Sequence, residues 1–82
     1  MTSRMGKKLR PEAVTLVIYG WHESEPGTLA WVFPSVGAAL RGVRAMRNAV
    51  RWIIVSGRRA FDREVDIDAL RRTSVVIVEG AS

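Results

Sequence analysis

The chain has 82 residues, 48 % of them apolar, a net charge of +5 and no cysteine. That length suits one domain, and that apolar share excludes an intrinsically disordered chain. Without cysteine there are no disulfides, thiolate nucleophiles or cysteine-based metal sites, which fits a reducing cytoplasm.

Met1 to Arg10 (MTSRMGKKLR) reads as a basic arm. We assign 1–12 to a flexible tail, 13–80 to a single domain and 81–82 to a frayed end. The basic residues followed by AVTLVIYGW resemble the start of a secretory signal, but HESEPG offers no small-residue cleavage site. The sequence is therefore expected to stay whole. No apolar run approaches the roughly 18 residues that a membrane span needs, so no membrane partner is expected.

Val14 to Trp21 (VTLVIYGW) has the branched and aromatic content of a first strand, with Thr15, Val17, Tyr19 and Trp21 predicted on one face. His22 to Gly27 (HESEPG) is a polar turn. Its histidine, the only one in the chain, stands beside Glu23 and Glu25, but a short exposed loop lacks the three or four convergent ligands of a metal site. Thr28 to Phe33 is the second strand of the hairpin, closed by Pro34.

Ser35 is the predicted N-cap of a helix that starts at Val36 and stops near Asn48. Val36, Ala39, Leu40, Val43 and Met46 fall on one arc of it, the spacing of a face buried on a sheet. Ala38, Gly42, Ala45 and Ala49 line up as a lane of small residues that suits close approach of another backbone, and Arg41, Arg44, Arg47 and Arg51 form a basic edge. No acid lies between Val36 and Ala60 to neutralise that edge.

Val50 to Val55 (VRWIIV) is the third strand. The charged stretch Gly57 to Val65 follows as a loop. Asp62, Glu64, Asp66 and Asp68 alternate there, without the bend glycine or terminal Glu of a calcium loop. Gly57, Arg58 and Arg59 stand at a strand end, where two arginines suit a phosphate or carboxylate. Asp66 caps a short helix over Ile67 to Arg72, with Val65 and Leu70 as a hydrophobic staple, and Ser74 to Glu79 (SVVIVE) is the last strand.

The order β-β-α-β-α-β implies an α+β domain with a four-stranded mixed sheet, because a helical crossover makes the second and third strands parallel. In a 1-2-3-4 strand order, right-handed crossovers put both helices mainly on one face. WIIV and VVIV are apolar on both sides, so the bare face calls for a cover. Either the short second helix supplies it or a second copy does, and the shortness of the helix favours a homodimer, with Ala38, Gly42, Ala45, Ala49, Tyr19 and Trp21 as interface residues.

No catalytic, cofactor or metal motif is present, so a non-enzymatic interaction or regulatory module is the leading expectation. The alternative is a nucleic-acid or other polyanion binder of low sequence specificity, using Arg41, Arg44, Arg47, Arg51, Arg58 and Arg59. It lacks a helix-turn-helix, a KH loop and an RRM aromatic motif. An enzyme or small-ligand binder built on Arg58 and Arg59 ranks third.

Overall fold

In the computed structural model, which describes residues 13–21, 27–61 and 65–81, Val14 through Ile18 are all buried. Burial of every successive residue means that both faces of this first strand, β1 (Val14–Trp21), are covered. It takes a central place in the sheet. β2 (Leu29–Phe33) pairs with one side of it and β3 (Ala49–Ser56) with the other, and β4 (Val76–Ala81) completes the order β2-β1-β3-β4. Helix α1 (Val36–Ala45) joins β2 to β3, and α2 (Ile67–Thr73) joins β3 to β4.

This is the expected α+β element order, with one change in the sheet. β2 and β3 do run in the same direction, as the crossover requires, but β1 is inserted between them. Every neighbouring pair is therefore antiparallel, and the sheet is antiparallel rather than mixed.

α1 starts as its sequence dictates: the Ser35 hydroxyl accepts from the Ala38 N–H at 3.1 Å. Val36, Ala39, Leu40, Val43 and Met46 then pack on Val14, Leu16, Ile18, Trp31, Phe33, Trp52 and Ile54. Burying side chains such as Leu16, Ile18 and Ile54 contributes about 1.5–3 kcal/mol each. The helix ends earlier than expected. Met46 is its C-cap, and Ala49 is already a buried residue of β3, opposite Trp21. The pairing of β3 along the whole of β1 takes the residues that the helix would otherwise have used.

Both helices were expected mainly on one face. Instead, α2 lies on the face opposite α1, where Leu70 joins Val17, Ile53 and Val55 in a second core cluster with Phe61, Val65, Ile67 and Val76. The handedness rule governs crossovers between parallel strands, whereas α2 joins antiparallel neighbours and is free to fold to the other side. Asp66 caps it as predicted, its carboxylate accepting from the Ala69 N–H at 3.2 Å.

The β1–β3 ladder contains two irregularities. Ile18 pairs with Trp52, Gly20 with Arg51 and Trp21 with Ala49, which leaves Tyr19 extra in β1 and Val50 extra in β3. Tyr19 consequently packs with the α2 cluster while Trp21 packs with the α1 cluster. The sequence alternation had put both on one face. At the far end, β4 continues through Gly80 and Ala81, paired with Trp52 and Arg51, where fraying was expected.

The N-terminal arm, the His22 to Pro26 part of the hairpin loop, Asp62 and Glu64 lie outside the described residues. Among the described residues, no helix is long and apolar enough to cross a membrane.

Candidate functional site

The connection from β3 to α2 starts with a sharp reversal at Gly57, whose φ of +89° suits glycine alone among common residues. Nothing would crowd a Cβ there, so the backbone angle, not space, sets the requirement. The Gly57 N–H donates to the Ala13 carbonyl at 2.9 Å, which brings the chain back over the start of β1. Thr15, fully buried in an otherwise apolar strand, fixes the turn: its hydroxyl donates to the Gly57 carbonyl and accepts from the Arg59 N–H, both at 2.8 Å.

Arg59 is thereby held at the margin of the α2 face. Its Nη1 donates to the Ser74 hydroxyl, and its guanidinium carbon lies 5.9 Å from the centre of the Phe61 ring. Ahead of α2, the Val65 N–H donates to the hydroxyl of Thr28, the residue before β2, at 3.0 Å. Beside β2 is a cavity of about 390 Å³, lined among the described residues by Thr28, Ala30, Val32, Arg59, Phe61 and Val65 among others. Among the described residues, Arg59 is the one charged residue in its wall. Arg58 is exposed and does not line the cavity.

Elsewhere on this face Arg71 connects three elements. Its Nη2 and Nε donate to the Glu79 carboxylate at 2.9 to 3.2 Å, its Nη1 donates to Asp68 at 3.0 Å, and its Nη2 reaches the Tyr19 hydroxyl at 3.3 Å. The hydrogen bond it donates to Glu79 raises the Arg71 pKa above its ordinary value. The Arg51 guanidinium carbon lies over the ring of the same tyrosine, 5.7 Å from its centre.

The predicted arginine edge is thus divided. Arg41 and Arg44 are exposed on α1 and Arg47 is exposed in the turn after it, while Arg51 lies on β3 against Tyr19. The lane of small residues is not continuous either. Ala38 is half-buried and Ala45 exposed, but Gly42 faces Phe33, whose ring would stand 2.8 Å from an added Cβ, and Ala49 belongs to β3. Among the described residues the ion pairs are those of Arg71 with Asp68 and Glu79, and no three metal-ligating side chains converge.

The apolar exposure is concentrated on the outer strands. Leu29 and Val32 are exposed on β2, and Val75 and Ile77, 70 % and 43 % exposed, at and near the start of β4. Sequence reasoning singled out neither this edge nor Thr15 and Arg71. A lone threonine in the run VTLVIY was the available signal for Thr15.

Compared with known proteins, the chain matches no family model, no curated protein and no solved structure.

Proposed function

We propose that this protein is a small non-enzymatic interaction module that works as a homodimer, joined along the outer edge of β4 in a cytoplasmic setting. The observation that carries the reading is the edge itself: Val75 and Ile77 are exposed on an outer strand whose one charged residue, Glu79, is already neutralised by Arg71. Outer strands that must stay single usually carry lysine, proline or a free charge. Val75 to Ala81 (VVIVEGA) carries neither of the first two. The one irregularity leaves Ile77 extra between Val76, opposite Val55, and Val78, opposite Ile54, and Val78 to Ala81 keep regular register with β3.

An antiparallel edge is self-complementary about a two-fold axis, so a second copy is the natural occupant. The absence of cysteine supports the cytoplasmic part of the reading. Covering the sheet face, the first role considered for a partner copy, falls to α2 instead, and the edge replaces the face as the point of contact.

Light scattering on the native chain and on Val75→Lys plus Ile77→Lys tests this. A dimer mass that persists at high salt, and a monomer for the double variant with unchanged secondary structure, is the expected result. A monomer for the native chain at tens of micromolar, or a dimer that ignores both lysines, overturns it.

A second reading has its own observation. Arg41, Arg44 and Arg47 are exposed together beside α1, with no ion-pair partner among the described residues. They would neutralise nucleic-acid phosphates, giving an affinity that falls steeply with salt and is lost in Arg44→Glu plus Arg47→Glu.

A further inference from the structure

The surplus residue Ile77 divides the outer edge of β4 and decides which strand can add to it. The Ser56 N–H donates to the Val75 carbonyl at 2.9 Å, so the backbone groups of Val75 turn inward to β3 and those of Val76, opposite Val55, turn outward. Beyond Ile77 the order reverses. Val78 and Gly80 lie opposite Ile54 and Trp52, which present their groups on the same side of β3 as Ser56, so Glu79 and Ala81 are the outward residues there. Val76 and Glu79 thus stand three positions apart, where a regular strand turns every second residue outward.

An incoming regular strand can match this edge on one side of Ile77 only. A second copy running antiparallel carries the same interruption. With Val76 opposite Glu79 of the partner subunit, Glu79 falls opposite the partner's Val76, Ala81 falls opposite the partner's Ser74, and the two surplus residues come together at the two-fold axis. β1 and β3 already pair in this way within the chain, where Tyr19 and Val50 are both surplus between the pairs Ile18–Trp52 and Trp21–Ala49.

The side chains fit the same register. Val76 packs with the α2 cluster, which puts its neighbour Val75 on the other face, the face of Trp52 and of Gly80 opposite it. Val75, 70 % exposed, then meets the partner's Gly80 and the indole that lies against that glycine. An axis through Glu79 would instead set two carboxylates opposite each other.

We propose that the outer edge of β4 selects a second copy of this chain over regular strands, in the register that sets Val76 opposite Glu79 of the partner subunit. The inference rests on the dimer reading above and adds the device that restricts the edge to its own kind.

The test is NMR on dimers mixed from isotope-labelled and unlabelled chains, together with subunit exchange between the native chain and tagged chains with and without Ile77. A contact between the Val76 and Glu79 amides across the interface is expected. The tagged native chain should exchange freely, whereas the chain lacking Ile77, whose edge is regular, should enter mixed dimers roughly tenfold less, since hydrogen bonds on one side of the interruption are lost. Should the shortened chain fail to fold, two peptides carry the comparison: Ser74 to Ala81 as it stands and the same peptide without Ile77, of which only the first should displace a tagged subunit.

A contact of the Glu79 amide with Glu79 of the partner subunit overturns the register and leaves the dimer standing. Equal entry of the shortened chain, or equal displacement by the two peptides, overturns the selectivity. A monomeric native chain removes the dimer reading itself, and this proposal with it.

Discussion

The indole of Trp52 lies against the backbone of Gly80 on the neighbouring strand, so closely that a Cβ on residue 80 would fall 2.2 Å from the ring atom Cζ2. Trp52 thereby roofs the end of β4, which α1 does not reach. Gly80→Ala must move the ring or the strand, and overpacking of this kind costs about 1–3 kcal/mol. Chemical denaturation should show that loss, and combining Gly80→Ala with Trp52→Leu should recover part of it, since the clash requires both side chains.

Thr15 supports the turn that carries Arg59, and it does so from a fully buried position. Thr15→Val preserves shape but leaves the Gly57 carbonyl and the Arg59 N–H without their partner. A loss of about 1–3 kcal/mol is expected, against a smaller one for Thr15→Ser, which keeps the hydroxyl. Equal stability of the valine and serine variants in urea would contradict this role.

The two helix caps are expected to differ in reach although their chemistry is alike. Ser35→Ala and Asp66→Ala should each cost about 1 kcal/mol. α1 has ten residues and a broad packed face, so its loss should be confined to fraying of the first turn. α2 has seven residues and one fully buried side chain, Leu70, so Asp66→Ala should also speed amide exchange at Leu70. Amide exchange measured on both variants separates the two cases.

Arg71 permits a prediction about pH. Its pKa is raised in the folded chain, chiefly by the hydrogen bond to Glu79. A raised basic pKa gives stabilisation that is complete below the unfolded value and lost only as pH climbs past the folded one. That window lies in strong alkali. The stability difference between the native chain and Arg71→Gln, attributed to Arg71 titration, should therefore stay flat from about pH 6 to about pH 9 and shrink with added salt, because the pair is open to solvent. Melting curves across that series would expose a slope if one exists.

Local chemistry made much of this fold legible. Ser35 and Asp66 announce both helices, and Val65 and Leu70 meet as the staple predicted. The doubly apolar WIIV does mark a central strand, with Ile53, Ile54 and Val55 all buried. The same pattern misleads at VVIV, because Val75 and Ile77 are exposed on an edge. What separates the two is the insertion of β1 between β2 and β3, a long-range pairing that no local spacing encodes. That order also releases α2 from the handedness rule that would have set it beside α1.

The site was legible only in part. Gly57 and Arg59 stand at a strand end and mark a turn with a cation, but Arg58 is exposed and does not line the cavity, and the partners Thr15, Thr28 and Ser74 come from distant parts of the chain. Arg51 continues the spacing of the helical edge from within the third strand, but its position opposite Gly20 puts it with Tyr19.

The paired extra residues Tyr19 and Val50 give the sheet two separately editable halves. Because one surplus cancels the other, Ile18 and Trp21 obey the same pairing rule on either side of the irregularity. Deleting Tyr19 alone would leave the surplus of β3 uncompensated, whereas deleting Tyr19 and Val50 together would restore an even ladder with Trp21 still on the face of Ile18. A change of length on one of these strands therefore requires a matching change on the other if the register of the core is to persist.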